Sequence, residues 1–191
     1  MTESNTNSDG ILIEVISKIN NINPRINRVL SMLLDHFIMC LLIVPLGILI
    51  AVLAFQYGQN FNKLTGIGLF SIPMFVYFNK DFLRAKSVAK RLIGYQIIDV
   101  KTNKAANELQ CFIRNLTIIV WPIEVVIGLI NPERRVGDFL ANTKVITCKK
   151  EKLKTVWSDL KNVKLKLNLI GIIIIGGFYF YGLSLIFPGM N

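Results

Sequence analysis

Four apolar runs, separated by polar and basic stretches, dominate the pattern of the chain. The first covers residues 29–55, and Asp35 and His36 are the only acidic or basic side chains in it. A helix needs roughly 20 apolar residues to cross a bilayer, which this run supplies. The run at residues 64–78 is shorter, and the run at residues 169–187 contains no charge. The pattern predicts an all-α membrane protein, a helical bundle of three to four transmembrane segments.

The remaining apolar run, residues 115–131, allows two topologies. It contains Glu124, and Pro122 removes a backbone hydrogen-bond donor near its middle. If the run dips into the bilayer and returns, hinged at Trp121 and Pro122, then 21 of the 22 lysines and arginines lie on one side of the membrane. Basic loops prefer the cytoplasmic side, so this count favours a re-entrant hairpin. A plain short span is the alternative.

Two short β-branched runs, residues 95–100 and 143–148, are typical of strands. Isolated strands are unstable, so we expect the two runs to pair with each other. Pairing requires both of them on the same face of the membrane. The pattern therefore predicts a small cytoplasmic β pairing, and it gives a second argument for the re-entrant hairpin.

Polar segments precede and follow the membrane domain, residues 25–148, and the two are predicted to differ from each other. Residues 1–24 form a polar tail and a short helix, which either lies along the membrane surface or caps a soluble-facing side. In residues 149–168, apolar side chains including Leu153, Trp157 and Leu160 follow helical spacing, with lysines spread over the other face. This segment is predicted to be a basic amphipathic helix on the anionic inner leaflet, anchored by Trp157.

Composition agrees with a small membrane protein and excludes other classes. The chain of 191 residues is 52% hydrophobic and 18% charged, which is too apolar for an ordinary soluble domain. A net charge of +10 would indicate nucleic-acid binding in a soluble protein. Here the charge reports which loops face the cytoplasm, so no nucleic-acid partner is expected. Three cysteines without regular spacing predict neither a disulfide framework nor a zinc site.

The sequence contains no enzyme motif. The HExxH, GxSxG, P-loop and GxGxxG patterns are absent, and a single histidine leaves few options for acid/base chemistry. We therefore expect no enzymatic activity, no cofactor and no metal site. The polar N-terminus lacks the basic region and apolar core of a signal peptide.

Asp35 is the candidate residue with the strongest physical argument. A carboxylate at that depth in the bilayer costs about 3 kcal/mol, so it should face the bundle interior, paired or protonated. Arg28 lies seven residues earlier, on nearly the same helix face and roughly 10 Å away along the axis. Burial disfavours the charged carboxylate and a nearby arginine favours it, a balance that suits proton-for-cation exchange. The alternative is a permanent salt bridge from Asp35 to Arg135 or Arg114.

Three further residues are candidates by position. Asp138 lies three residues after Arg135, so one helical turn can carry both, either as a gate or as a local surface ion pair. Glu124, beside the Pro122 break, can reach freed backbone donors, water or an ion. His36 points about 100° away from Asp35, which favours a satisfied histidine within the bundle over a proton relay.

Three separated stretches resemble the RDD family of bacterial membrane proteins, which is named for one arginine and two aspartates. In RVLSMLLDHFI, Arg28 matches the family arginine and Asp35 the first aspartate. In RRVGDFLANTKVI, Asp138 is the best match for the second aspartate. The third stretch, AKSVAKRLIGYQIIDV, is similar to a family motif that precedes a strand, although Ala85 and Ala89 stand where glycines are usual.

The resemblance covers about residues 25–148 and leaves the last apolar run outside it. It implies an integral membrane protein of the bacterial inner membrane with a role in transport. Some members of the family are thought to act as monovalent cation/proton antiporters.

Two functional hypotheses follow. In the first, the protein is a small transporter or ion-exchange module in which Asp35 is the proton or cation site, Arg28 sets its charge state, and Asp138 with Arg135 gates the cytoplasmic end. A pore this small requires partners, so we expect a homo-oligomer or another membrane protein. In the second, the protein is a non-transporting scaffold or assembly factor, whose basic cytoplasmic face recruits a protein or lipid.

Overall fold

The computed structural model describes residues 24–57, 63–163 and 167–186. Most of the predicted N-terminal tail and interfacial helix, residues 1–23, lies outside this part of the chain. The described residues form, in order, α1 Pro24–Tyr57, α2 Lys63–Phe78, α3 Val88–Ile93, β1 Tyr95–Asp99, α4 Glu108–Asn115, a 3-10 helix Leu116–Val120, α5 Trp121–Ile130, α6 Val136–Leu140, β2 Thr143–Thr147, α7 Lys154–Lys161 and α8 Asn168–Ile186. The mostly helical class with a small β pairing is confirmed.

Helix α1 is the clearest candidate for a membrane span. Among the helices that the structure describes, it alone has an apolar stretch, Arg25–Leu53, long enough to cross a bilayer by itself. It begins at Pro24, earlier than the apolar run at residues 29–55. Within this described helix, no residue of the most apolar 18-residue stretch is buried. A core helix of a soluble protein would bury such side chains, so this stretch of α1 presents an apolar surface suited to lipid.

The other apolar helices are shorter. Helix α2 has 16 residues, and the apolar stretch of α8 is Asn168–Leu183. On α8, Ile173 and Phe178 are exposed by 62% and 74%, and a contiguous apolar surface of this kind marks a membrane or partner contact. These surfaces agree with the predicted membrane protein, while the count of three to four spans stays a prediction.

The two predicted strands pair, as the sequence analysis expected. Strands β1 and β2 are antiparallel, with Tyr95 opposite Thr147 and Asp99 opposite Thr143. A chain that leaves β1 and returns to β2 must end on the side of the membrane where it started. This pairing favours the re-entrant hairpin over a single crossing by the apolar segment between the strands.

The segment between the strands is sharply bent. Residues Glu108–Ile118 and Trp121–Ile130 form an angle of 110° with each other, close to the hinge predicted at Trp121 and Pro122. Pro122 lies in the first turn of α5, where its missing N–H has no intrahelical partner to lose. The proline therefore starts a helix after the bend instead of breaking one.

The segment before β1 contains a short helix whose two ends are capped. The Ser87 side chain accepts a hydrogen bond from the Lys90 backbone N–H and caps the start of α3, and Gly94 ends the helix with φ +90°. Ala85, one of the two positions where the family usually has glycine, has φ +56°. Alanine is strained in this left-handed region. Its methyl group lies in the apolar cluster beneath the sheet, which offsets part of that cost.

Two apolar clusters of buried side chains hold the described helices together. One lies beneath the sheet and includes Ile93, Tyr95, Ile97, Cys111 and Val145. The other is largely aromatic, joins α2, α4 and α8, and includes Tyr77, Phe78, Phe112, Ile172 and Phe180. Through the aromatic cluster, the last helix belongs to the same packed unit as the rest of the membrane domain.

The basic segment after β2 forms a shorter helix than predicted. Helix α7 covers Lys154–Lys161 within the predicted range of residues 149–168, of which residues 164–166 lie outside the described part. Lys154 and Lys161 are exposed, but the face opposite the apolar side chains also carries polar and acidic groups. Thr155 and Asp159, which lie opposite the apolar side chains, contact Arg91, so this face is turned toward the protein.

Candidate functional site

Eight charged side chains form a buried network at the centre of the described residues. Each is at most 5% exposed, and the four cations balance the four carboxylates. We call this set the buried charge network; its members are Arg28, Asp35, Asp81, Lys90, Arg114, Glu124, Arg135 and Asp138. Charges are rarely buried unless they are paired, so the network explains how so many of them lie inside a membrane protein.

Lys90 joins the two carboxylates at one end of the network. Its Nζ donates to Asp35 Oδ2 at 2.5 Å and to Asp81 Oδ1 at 2.8 Å. The same ammonium group donates to the Ser87 hydroxyl at 3.2 Å. Asp35 belongs to α1 and Asp81 to the loop after α2, so one lysine of α3 ties three segments together.

Arg114, on α4, connects this end to the rest of the network. Its Nη1 lies 3.5 Å from Asp81 Oδ2 and its Nε lies 2.9 Å from Asp138 Oδ1. The side chain of Asn115 forms a second connection. Its Nδ2 donates to Asp81 Oδ2 at 3.1 Å, and its Oδ1 accepts from Arg135 Nη2 at 2.8 Å. The two ends of the network are therefore connected through adjacent residues of one helix.

Asp138 has the largest number of basic neighbours. Besides Arg114, it lies 3.5 Å from Arg28 Nη2 and 3.8 Å from Arg135 Nε, and it accepts a hydrogen bond from the Thr143 hydroxyl at 2.8 Å. Burial alone would raise the pKa of Asp138. The surrounding guanidinium groups and the Thr143 hydroxyl outweigh this and hold that pKa below its usual range. Asp138 is therefore ionised at neutral pH.

Asp81 behaves in the same way at the other end. Burial raises its pKa, but the positive charges of Lys90, Arg114 and Lys80 together with the hydrogen bond from Lys90 lower it further, so the net shift is downward. The two carboxylates that share Arg114 are both held in the charged form.

Glu124 on α5 links the hairpin to α6. Its Oε2 lies 3.0 Å from Arg135 Nη1, and its Oε1 accepts from the Gly137 backbone N–H at 3.1 Å and from the Thr117 hydroxyl. From the sequence, Glu124 was expected to reach backbone donors freed by Pro122, water or an ion. In the described structure its hydrogen-bond donors are the Gly137 backbone N–H in the first turn of α6 and the Thr117 hydroxyl.

Gly137 allows this close contact between α6 and α4. A Cβ at this position would lie 1.9 Å from the Arg114 carbonyl oxygen and 2.6 Å from the Thr117 hydroxyl. Only glycine lets the two backbones approach so closely. The buried charge network therefore depends on a residue that carries no charge.

Gly137→Ala is expected to lower the free energy of unfolding by about 1–3 kcal/mol, because overpacking forces the backbone to shift. The measurement is thermal unfolding of the purified protein in detergent. Gly177→Ala is the control, since its Cβ would meet open space within the described structure and should change stability by less than about 1 kcal/mol. An unchanged unfolding midpoint for Gly137→Ala would contradict this packing.

The predicted site residues are brought together, but with different partners. Arg28 lies against Asp138, whereas Asp35 lies against Lys90. Within the described residues, the expected influence of Arg28 on Asp35, and the alternative salt bridge from Asp35 to Arg135 or Arg114, are therefore not observed as direct contacts. The interpretation of Arg135 and Asp138 as a surface ion pair is wrong, because these residues are 5% and 0% exposed.

Two members of the network, Asp81 and Lys90, were not singled out from the sequence, and Arg114 was named only as a possible partner of Asp35. Asp81 lies in the loop after α2, Lys90 lies on α3, and Arg114 directly precedes the apolar run of the hairpin. Asp81 follows an apolar run and Arg114 precedes one, so their positions at segment ends were a usable signal. Lys90 stands among several basic residues, and its place in the stretch AKSVAKRLIGYQIIDV, which is similar to a family motif, was the signal available for it.

His36 is satisfied by neighbouring aromatic residues. Its Nδ1 lies 3.0 Å from the Tyr77 hydroxyl, and its ring stacks on Trp121 with centroids 5.3 Å apart. This arrangement fits the predicted structural role of the histidine. Separately, the described residues contain no group of three or more His, Cys, Asp or Glu side chains arranged to hold a metal ion.

One member of the network, Arg28, and one neighbouring hydroxyl, that of Ser31, are buried without a full set of hydrogen bonds. The Ser31 hydroxyl and both terminal nitrogens of Arg28 have no hydrogen-bond partner among the described residues. Ser31 lies one helical turn from Asp35 on α1. Such groups are costly to bury, and they lie on the side of α1 that faces the network.

Comparison with known proteins gives one match. A family model described as the RDD family matches residues 23–191. This range includes α8, which the resemblance in the sequence had left out. No curated protein and no solved structure matches the chain.

Proposed function

The chain belongs to the RDD family, and from this premise we propose that it is a small ion-exchange module of the bacterial inner membrane. In this proposal the protein crosses the membrane several times, with its basic loops on the cytoplasmic side. The exchange is of a monovalent cation for a proton, and no cofactor takes part. The residues that carry it are those of the buried charge network.

The observation that supports this proposal is the position of Asp35. It lies on the helix that is long enough to span, is 3% exposed, and has the Lys90 ammonium 2.5 Å away. An ionisable group inside a spanning segment is costly and is usually functional. The partner is a lysine, a compact point charge on a flexible stem instead of the planar fork of the expected arginine, so this contact can open to admit a cation beside Asp35.

Arg28, Arg135 and Asp138 take a different part in the proposal. Asp138 is held in its charged form by three guanidinium groups, so it is a poor proton carrier at neutral pH. These residues instead fix α1, α4 and α6 against one another at one end of the network. We assign them to the cytoplasmic end, where a change in their pairing would open or close access to Asp35.

Asp35→Asn is expected to abolish cation-driven proton movement, because the variant carries one carboxylate fewer beside Lys90. Everted vesicles loaded with a pH-sensitive dye report this movement as dequenching after addition of sodium, potassium or lithium. The variants are compared at equal amounts of folded protein in the membrane.

Asp99→Asn is the matched control for this test. Asp99 accepts hydrogen bonds from the Lys101 backbone and the Thr102 hydroxyl in the turn after β1, outside the buried charge network. Its replacement should leave dequenching unchanged. If the native protein moves no protons with any monovalent cation, the antiport proposal is wrong.

The second candidate function is a non-transporting scaffold or assembly factor. It is favoured by the complete charge balance of the network, since each of its carboxylates has a basic partner within 3.0 Å. Full pairing of this kind is also expected where the charges have no role except to hold the helices together. This candidate predicts that Asp35→Asn leaves vesicle fluxes unchanged but alters stability or recovery of a partner in pull-down experiments.

A further inference from the structure

Helix α7 is attached to the protein by its charged side. Arg91, which follows Lys90 on α3, lies 2.6 Å from Glu151 and 2.8 Å from Asp159. Lys86 also lies 2.6 Å from Glu151, and Arg84 lies 3.1 Å from Asp159. The two acidic groups of this segment are therefore engaged with the loop and helix that precede β1.

The apolar side of the same segment points away from the protein. Leu153, Trp157 and Leu160 are exposed by 51%, 64% and 51%. At about 100° per residue they lie together on one face, roughly opposite Thr155 and Asp159. A surface helix of a soluble protein has the opposite orientation, with its apolar face toward the core and its polar face toward solvent.

The lysines of this segment flank the apolar face. Lys152, Lys154 and Lys161 are exposed, while Glu151 and Asp159 are paired with basic groups of the protein. The outer surface of α7 is consequently apolar at its centre and positive at its edges. This is the pattern that binds an anionic lipid surface.

The apolar helix α8 follows α7 closely in the chain. Helix α8 starts seven residues after α7 ends, and its exposed side chains include Ile170 and Ile173. A connection of this length keeps α7 close to the membrane surface, because even an extended chain spans about 3.5 Å per residue. The apolar face of α7 therefore has a bilayer within reach.

We propose that α7 docks onto an anionic membrane surface. Leu153, Trp157 and Leu160 enter the boundary between headgroups and acyl chains, and Lys154 and Lys161 contact lipid phosphates. Docking is a property of this helix and does not depend on ion exchange. Because Arg91 joins α7 to α3, the docked helix also holds the Lys90 segment at a fixed depth.

The test uses the full-length protein in vesicles and reads the fluorescence of Trp157. The chain has two tryptophans, and Trp121→Tyr leaves Trp157 alone while keeping an aromatic ring beside His36. Phospholipids brominated near the glycerol end of the acyl chain quench a tryptophan at the headgroup boundary. We expect strong quenching in vesicles of phosphatidylcholine with phosphatidylglycerol, and weaker quenching in phosphatidylcholine alone.

A charge-reversed variant tests the role of the lysines. Lys154→Glu with Lys161→Glu should lower the docking equilibrium constant by about fivefold or more per residue, seen as loss of quenching. Lys101→Glu is the matched control, because Lys101 is exposed in the turn after β1 and should have no effect. If Trp121→Tyr does not fold, the difference in quenching between the native protein and Trp157→Ala gives the same information.

Two results would overturn the proposal. Trp157 that is unquenched in every vesicle would show that another surface covers this face, and cross-linking between copies through Trp157→Cys would identify a second copy as that surface. Equal quenching with and without phosphatidylglycerol would show that anionic lipid is not the partner. Neither result bears on proton movement, so docking and the proposed ion exchange can fail separately.

Discussion

Replacing Lys90 with methionine is expected to lower the free energy of unfolding by about 3–5 kcal/mol, the cost of removing one partner from a buried ion pair. The ammonium group of Lys90 contacts Asp35 and Asp81, which are 3% and 0% exposed. Methionine keeps most of the side-chain volume, so the effect reports lost charge more than lost packing. Thermal or denaturant unfolding in detergent measures it.

The rescue of this variant separates charge from shape. Adding Asp35→Asn to Lys90→Met removes one of the two stranded carboxylates, so the double variant should be more stable than Lys90→Met alone. Lys101→Met, at an exposed position in the turn after β1, should change stability by less than about 0.5 kcal/mol. A Lys90→Met protein as stable as this control would show that the contacts with Asp35 and Asp81 contribute nothing.

The sequence was sufficient for those parts of the fold that depend on local pattern. The apolar run at residues 29–55 predicts α1 because hydropathy over a long window is a strong signal. The strands at Tyr95–Asp99 and Thr143–Thr147 were predicted, and their pairing followed from the instability of isolated strands. The bend near Pro122 was also predicted, but its physical basis differs from the expected one, because the proline starts α5 after the bend instead of interrupting a helix.

The partners of the charged residues were not predictable in the same way. Asp35 was expected near Arg28 because both lie on one helix at a spacing of two turns. In the folded protein, other elements come closer than that spacing allows, and Lys90 reaches Asp35 from a helix 55 residues later in the chain. Contacts of this kind depend on tertiary packing, and sequence periodicity carries no information about it.

The amphipathic helix after β2 shows a related limit. Helical spacing correctly grouped Leu153, Trp157 and Leu160 on one face. Lysines were predicted over the other face, and Lys154 and Lys161 are exposed, whereas Asp159, opposite the apolar side chains, contacts Arg91. Periodicity identifies which residues share a face, but the partner of each face is decided by the charges that the fold brings near it.

The buried charge network gives the ion-exchange and scaffold proposals a common physical basis. Asp35 and Lys90 are the pair closest to the spanning helix, whereas Asp138 and its arginines fix the helices around them. An exchanger needs the first pair to separate, and in the proposed mechanism a change in the pairing of the second group opens or closes access to it. The two functions therefore differ in how easily Lys90 leaves Asp35, and stability and flux measurements on the same variants distinguish them.

Asp138→Asn is expected to cost about 3–5 kcal/mol at neutral pH, because it leaves three buried guanidinium groups without their shared carboxylate. The side chain is 0% exposed, and its nearest partner is Arg114 Nε at 2.9 Å. Asparagine keeps the shape and can still accept the hydrogen bond from Thr143. The loss therefore measures charge pairing, and unfolding in detergent at pH 7 detects it.

The pH dependence of this variant follows from the direction of the Asp138 pKa shift. The folded-state pKa lies below the ordinary value of 3.8, so the unfolded chain binds the proton more readily, and ionised Asp138 stabilises the native protein above that value. This stabilisation is lost as the pH falls through the folded pKa. The stability difference between the native protein and Asp138→Asn should therefore be constant from pH 7 to about pH 5 and narrow in stronger acid.

Asp99→Asn is the control variant. Asp99 lies in an exposed turn, so this variant should stay within about 1 kcal/mol of the native protein at pH 7. A difference between the native protein and Asp138→Asn that widens in acid would mean that Asp138 is not held in its charged form.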